Sequence, residues 1–396
     1  MTVAQAAVYV ARPITSYRLL SVGAGPREVG FVAASFALIP LFLAIPLGRF
    51  SDRREGGPLL VAGCAIQTAA CFSLAIARTP LELAAATALL GLGHLALALG
   101  VQEVVARESD PHHHDQHFGL LTAGVSVGQL VGSVLGGALL QHRGGASLTS
   151  ATSLAMVVAG VLAATATAFA ALAERRRPQG AETASESRRG SVRTILTTPG
   201  VPAGIFASIA VLSAADVFTA YMPVLGEQRG IAPGTVGLLL GLRAAASLAS
   251  RIGIGRIVRF VGRLRLITLS AVAAAIAFVG LTVSDDVWLL ALLTIVAGFG
   301  LGFGQPLSMT LVVQLVPPYA QATALAIRLT GNRLGQVAAP AAAGVVAGTN
   351  GTKPVFWMLS AMLGASAAAI QRPAFGRRLG PRRASAARDE LPRAPR

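Results

Sequence analysis

Residues 287–316 read VWLLALLTIVAGFGLGFGQPLSMTLVVQLV, thirty consecutive positions without an acid or a base. A helix needs roughly 20 apolar residues to cross a bilayer core, so this stretch is long enough to span one. Comparable charge-free blocks run over Leu59–Ala77, Leu148–Ala173 and Leu266–Val283. A soluble chain would interrupt such runs with polar surface positions. Hydrophobic residues make up 54% of the sequence and charged residues 13%, about half the charge of a typical soluble domain. Transmembrane barrel strands alternate polar and apolar residues over about ten positions. These blocks are apolar all round and rich in Ala, Leu and Gly, which suits close helix packing in lipid. The fold class is all-α, a polytopic membrane protein of about twelve spans.

The hydrophobic pattern predicts spans near 1–18, 27–47, 59–77, 81–105, 118–140, 148–173, 200–225, 234–252, 266–283, 287–316, 322–347 and 354–371. The net charge of +16 could suggest a nucleic-acid partner, but its placement excludes one. Alternate connections carry most of the bases: Arg49, Arg53, Arg54, Arg107, Arg175–Arg177, Arg188, Arg189, Arg193, Arg251, Arg256, Arg259, Arg263, Arg265 and the tail from Arg372. The other connections hold little beyond Arg18, Arg27, Arg78, Arg143, Arg229 and Lys353. By the positive-inside rule the first set is cytoplasmic, as are both termini. No basic leader with a cleavage pattern opens the sequence, and a cytoplasmic (inner) membrane location is expected. Cys64 and Cys71 lie about 10 Å apart along one helix, beyond disulfide reach.

The two halves repeat. A shift of 207 positions, the distance from Gly48 to Gly255, brings separated landmarks into register without gaps. Gly23, Pro26, Val29 and Gly30 meet Gly230, Pro233, Val236 and Gly237. Gly91 and Gly93 meet Gly298 and Gly300; Pro111 meets Pro318. Gly124, Gly128, Gln129 and Gly137 meet Gly331, Gly335, Gln336 and Gly344. Abundant glycine alone does not produce one constant offset across five clusters that include prolines and a Gly-Gln pair. The expected organisation is a six-helix bundle over 1–173, a solvated cytoplasmic linker over 174–199, a second bundle over 200–371, and a basic disordered tail over 372–396. Two parallel halves with a site near mid-membrane are a known transporter design. The shift also sets Met1 against Ser208, so the first helix is expected to be short at its cytoplasmic end.

The connection after the second span reads Gly48-Arg-Phe-Ser-Asp52-Arg53-Arg54-Glu-Gly56-Gly57, and a looser copy follows the eighth as Gly255-Arg-Ile-Val-Arg259-Phe-Val-Gly262-Arg263. The first copy resembles the signature loop of the major facilitator superfamily, G-x-x-x-D-R-x-G-R, with one extra residue and no closing arginine. The resemblance extends over nearly the whole chain and points to the bacterial efflux-type branch. It implies secondary transport by rocker-switch alternating access. It also implies that Asp52, with Arg53, holds the halves together at the cytoplasmic face, with Gly48 and Gly255 allowing close helix approach. Glu103 and Arg107, spaced i,i+4 at the cytoplasmic end of the fourth span, can join that network. Two departures separate the chain from the drug/proton antiporters. No base precedes Gly91 in the fourth span, where His94 follows instead, and the fifth span has Gly128-Gln-Leu-Val-Gly132 without the Gly-Pro of the antiporter motif.

Polar groups inside the spans are the site candidates, because an unpaired charge there costs a few kcal/mol. These are Arg12, His94, Asp216, Arg243, Gln305 and Arg333, with Arg328 the base most apt to snorkel. The repeat carries Tyr9 onto Asp216, so Arg12 and Asp216 should meet across the two halves. Four arginines against one central aspartate suggest an anionic solute. Protons are the expected coupling ion, and no metal or cofactor is expected. His112–His114 with Asp110, Asp115 and His117 lack a second cluster to complete a rigid site. No nucleotide-binding loop is present, and the chain is read as a monomer and not an enzyme. The competing readings are a drug/proton antiporter for lipophilic or cationic compounds, a permease subunit of an ATP-driven pump, and a membrane enzyme.

Overall fold

The computed structural model describes residues 1–53, 56–108, 114–142, 147–175 and 191–371. Among them twelve helices have eighteen or more residues. They are α1 (Thr2–Ser21), α2 (Pro26–Arg53), α3 (Gly56–Ile76), α4 (Pro80–Glu108), α5 (His114–Gln141), α6 (Leu148–Arg175), α7 (Val201–Gln228), α8 (Pro233–Ile252), α9 (Arg263–Gly280), α10 (Val287–Leu315), α11 (Gln321–Asn350) and α12 (Lys353–Gln371). Two short helices, Val192–Thr197 and Ile254–Val261, and a 3-10 turn at Pro318–Ala320 complete the described elements, and no strand occurs among them.

The sequence marks these ends itself. Pro26, Pro80 and Pro233 open their helices, where the missing N–H costs nothing. Asp286 caps α10 by accepting from the Leu289 amide at 3.1 Å. Gly23 and Gly230, equivalent in the repeat, leave α1 and α7 at φ of 81° and 66°, a region side chains disfavour.

Several boundaries move from the sequence reading. Helix α2 continues through Asp52 and Arg53, and the next helix begins at Gly56, so the expected loop is helical on both sides of residues 54–55, which lie outside the described residues. Gly255 and Arg259 lie on the short helix Ile254–Val261 and not in an open turn. Within the expected linker 174–199, residues 174–175 end α6 and Val192–Thr197 is helical, while residues 176–190, the histidine run at 112–113 and the tail 372–396 lie outside the described residues.

Packing follows the repeat. Helix α1 packs on α5 and α6, α3 on α4 and α6, and α2 on α4. The equivalent contacts join α7 to α11 and α12, α9 to α10 and α12, and α8 to α10. The halves meet where α5 lies along α8, α2 along α11, and α1 against α7. Outward positions such as Ile76, Phe169 and Trp288 are exposed large apolar residues, as a lipid-facing surface requires.

One end of this interface is sealed by backbone contact. A Cβ on Gly137 of α5 would lie 2.8 Å from the Cα of Gly237 on α8. The repeat-related pair, Gly30 on α2 and Gly344 on α11, is equally close. Both pairs sit at the arginine-poor face, where α5 and α11 end and α2 and α8 begin. At the opposite face no atom of a described residue lies within 4 Å of a Cβ position on Gly48 or Gly255. The close approach expected of these two is not made to any described residue.

Each half also has an arginine staple at the sealed face. Arg18, near the end of α1, is 3% exposed. Its guanidinium donates to the Ala77 carbonyl at 2.9 and 3.1 Å, to the Thr149 carbonyl and to the Ser153 hydroxyl. Arg229, just past α7, donates to the carbonyls of Leu281, Thr282 and Ser284 and pairs with Asp285 at 3.1 Å. Ala77 and Ser284 are equivalent in the repeat. Both arginines thus satisfy carbonyls left unpaired beyond a helix C-terminus.

Candidate functional site

The centre of the molecule is a chain of polar side chains that crosses from one half to the other. Arg12 of α1 donates from Nη1 to Asp216 Oδ1 of α7 at 2.7 Å. Gln336 of α11 donates from Nε2 to Asp216 Oδ2 at 2.6 Å, and Arg333 donates to Gln336 Oε1 at 3.0 Å. Both carboxylate oxygens of Asp216 are occupied, and the residue is 5% exposed. On the other side the Arg12 guanidinium stacks over Phe36 of α2, 4.5 Å from its centroid. Phe36 in turn lies 5.7 Å from the ring of His94 on α4. A guanidinium over an aromatic face gains quadrupole attraction. Phe36 therefore holds the arginine in its own half while the aspartate pulls from the other.

A second cluster lies closer to the arginine-rich face. Gln305 of α10 donates to the Ser208 carbonyl on α7 at 2.9 Å. Arg328 of α11 donates to the carbonyl and side-chain oxygens of Gln305 at 3.1 and 2.8 Å, and the Ser208 hydroxyl bonds Asn332 at 2.9 Å. Beside this cluster a cavity of about 620 Å³ opens between α5, α8, α10 and α11. It reaches the arginine-rich face at Ile252 and Ile254, opposite the glycine seal. The interface is therefore closed at one face and hollow towards the other.

The structure brings Arg12, Asp216 and Arg333 into one network, with Arg12 and Asp216 in the contact the repeat implied. Gln305 belongs to the second cluster. His94 meets the first through the ring of Phe36 and lies within electrostatic reach of Arg333, Arg12 and Asp216, and its Nδ1 is buried without a hydrogen-bond partner. Arg243 is buried on α8, with its backbone against Gly298 of α10 and its Nε unpartnered. Arg328 does not snorkel: it is 5% exposed and bonded to Gln305. Of the expected gating residues, Asp52 and Arg53 fall in the last turn of α2, and Glu103 and Arg107 in the last two turns of α4. Phe36, Gln336, Ser208, Asn332 and Arg251 were not singled out from sequence. Gln336 carried a signal, the Gly-Gln pair shared with Gly128 and Gln129. Phe36 carried none, one phenylalanine among fifteen.

Twelve long helices in two packing-equivalent halves, ten of them long and apolar enough to cross a membrane among the described residues, joined by a buried ion pair, define a polytopic membrane protein. A family model described as Major Facilitator Superfamily matches residues 1–232 and again 204–395, and the chain belongs to that family of transporters. A variant of the nucleoside transporter NupG superposes with a TM-score of 0.75, covering 93% of this chain and 96% of that one at 14% identity. A POT family transporter in complex with 5-aminolevulinic acid gives 0.74, covering 93% of each chain at 12% identity. A bacterial homologue of the human lysosomal transporter Spinster, inward-facing and occupied, gives 0.71 over 93% and 95% at 14% identity. At these identities the likeness concerns the fold. Among curated proteins, multidrug resistance protein MdtH of Yersinia pestis (strain Pestoides F) is 29% identical over 135 residues. That match spans about a third of its length, 34% of each protein.

Proposed function

We propose that this protein is a proton-coupled secondary transporter of a small organic solute, working by alternating access in a bacterial cytoplasmic membrane with both termini in the cytoplasm. The observation that carries the reading is the Arg12–Asp216 bridge. It ties the halves together at mid-span, between a sealed face and a cavity. Asp216 is the one buried acid among the described residues. A proton taken up by its carboxylate removes the charge that draws Arg12 across the interface. Phe36 then keeps Arg12 with its own half, and the sealed face is free to part. Loss of the proton restores the bridge and the seal. The same pair thus links proton occupancy to the choice of open face, which is what coupling requires.

Arg12, Arg243, Arg328 and Arg333 place four permanent cations in the spans against Asp216, a balance that favours an anionic solute. The cytoplasmic orientation of the arginine-rich face follows from the positive-inside rule. A second reading is export of lipophilic drugs by proton antiport. It is favoured by the match to MdtH and by the apolar walls of the cavity at Leu248, Ile252 and Met309.

Uptake of labelled 1-naphthoate and of ethidium into proteoliposomes, without nucleotide and under an imposed pH gradient, tests the reading. Flux should follow the gradient in the wild type and lose that dependence in Asp216→Asn. Flux that requires ATP would exclude secondary transport, and unchanged gradient dependence in Asp216→Asn would exclude Asp216 as the coupling group. Ethidium flux alone would favour the drug antiporter.

A further inference from the structure

The cavity beside α8 and α11 has an uneven chemistry. Two guanidinium groups, Arg251 and Arg328, line it, and no acid stands among the described residues of its wall. Arg328 spends two hydrogen bonds on Gln305, yet its Nε is buried without a partner. The Nε of Arg251 is in the same position, and so is that of Arg243, which lies within electrostatic reach of Arg251. Asp216 is not part of this wall, and its hydrogen bonds go to Arg12 and Gln336. A buried donor left unpaired costs about 1–3 kcal/mol, more when charged. The remaining wall is mostly apolar, formed by Leu248, Ile252, Pro306 and Met309 among others.

We infer that this cavity binds an amphiphilic organic anion. Its carboxylate or phosphate lies between Arg251 and Arg328, and its apolar body lies against Pro306 and Met309. Guanidinium geometry matches either oxyanion through paired N–H donors. The volume of about 620 Å³ falls within the usual range for small-molecule sites. A cation of the same shape would meet two like charges with no counter-charge on the described wall. This inference rests on the transporter reading and adds to it the place and chemistry of the solute site. Arg251 and Arg328 are binding residues in this account, whereas the Arg12–Asp216 bridge acts on conformation.

The test uses the full chain in lipid nanodiscs with three probes of one ring system: 1-naphthoate, 1-naphthyl phosphate and 1-naphthylmethylammonium. Met309→Cys places a reactive thiol on the cavity wall, where Met309 is 44% exposed; the native Cys64 and Cys71 are both buried. One or both anions should slow maleimide labelling at position 309 saturably and raise the thermal midpoint, and the cation should do neither. Carboxylate and phosphate protection, compared side by side, tell which oxyanion is preferred. Arg251→Gln should weaken anion protection at least about tenfold, the equivalent of about 1.4 kcal/mol. Arg328→Gln should do the same, and if it fails to fold the Arg251 variant decides alone. Protection by the cation alone, protection by no probe, or anion protection unchanged in Arg251→Gln would each overturn the site. Anion binding without flux in proteoliposomes would count against transport and leave the site standing. Flux of ethidium with no anion protection would do the reverse.

Discussion

Gly137 of α5 and Gly237 of α8 meet backbone to backbone, and the 207-residue repeat carries this pair onto Gly344 of α11 and Gly30 of α2. One sequence device, used twice, closes both long contacts between the halves. A Cβ at 137 would sit 2.7 Å from the Pro233 carbonyl and 2.8 Å from the Gly237 Cα. Neither neighbour is a side chain that can rotate away.

Gly137→Val should therefore penalise the sealed conformation selectively. Overpacking of this kind costs about 1–3 kcal/mol, which shifts the equilibrium towards the form open at the arginine-poor face by about fivefold to a hundredfold. A thiol introduced as Ala33→Cys, beside the seal, should label faster from that face in the Gly137→Val background. Equal labelling rates with and without the valine would show that the glycine contact does not control the seal.

The Arg12–Asp216 bridge predicts that losses at its two ends are coupled. Arg12→Gln leaves a buried carboxylate without its cation, and Asp216→Asn strands a guanidinium that cannot deprotonate. Breaking one side of a buried pair costs about 3–5 kcal/mol in soluble proteins, enough to see in a thermal scan. The double variant Arg12→Gln/Asp216→Asn should therefore be more stable than the sum of the two single losses predicts. Thermal midpoints that fall additively in the double variant would contradict the account.

The arginine staples should rank by burial. Arg18→Gln removes donors to Ala77, Thr149 and Ser153 at a site 3% exposed, and should lower thermal stability more than Arg229→Gln. Asp285→Asn should matter little, since the Asp285 side chain is 80% exposed and exposed ion pairs contribute about 0–1 kcal/mol. Thermal midpoints of the three variants in one lipid composition check the order. A larger loss for Asp285→Asn than for Arg18→Gln would reverse it.

The number of long helices and the two-fold repeat were legible because both rest on long-range regularities, apolar length and a fixed offset, which survive errors of a few residues at any one boundary. The Arg12–Asp216 contact was legible for the same reason, since the offset puts Tyr9 and Asp216 at one level. What escaped was lateral. Nothing in a one-dimensional pattern says that Phe36 faces Arg12, or that Arg328 turns inward to Gln305. The role expected of Gly48 and Gly255 depends on which face is closed, and a sequence encodes both conformations at once. The extension of α2 through Arg53 was missed because Ser51, Asp52 and Arg53 are polar, and hydropathy ends a span where a helix need not end.

The glycine seam has a consequence for how the molecule is driven. At its two tightest points the contact is main chain on main chain, with no side chain there to titrate, to bind an ion or to be screened by salt. These two contact points do not themselves respond to the acidity or salt of the medium at the arginine-poor face. The seam acts as a passive latch. Chemical information about the surroundings has to enter elsewhere, through groups that can change charge, and Asp216 is the buried acid between that latch and the cavity.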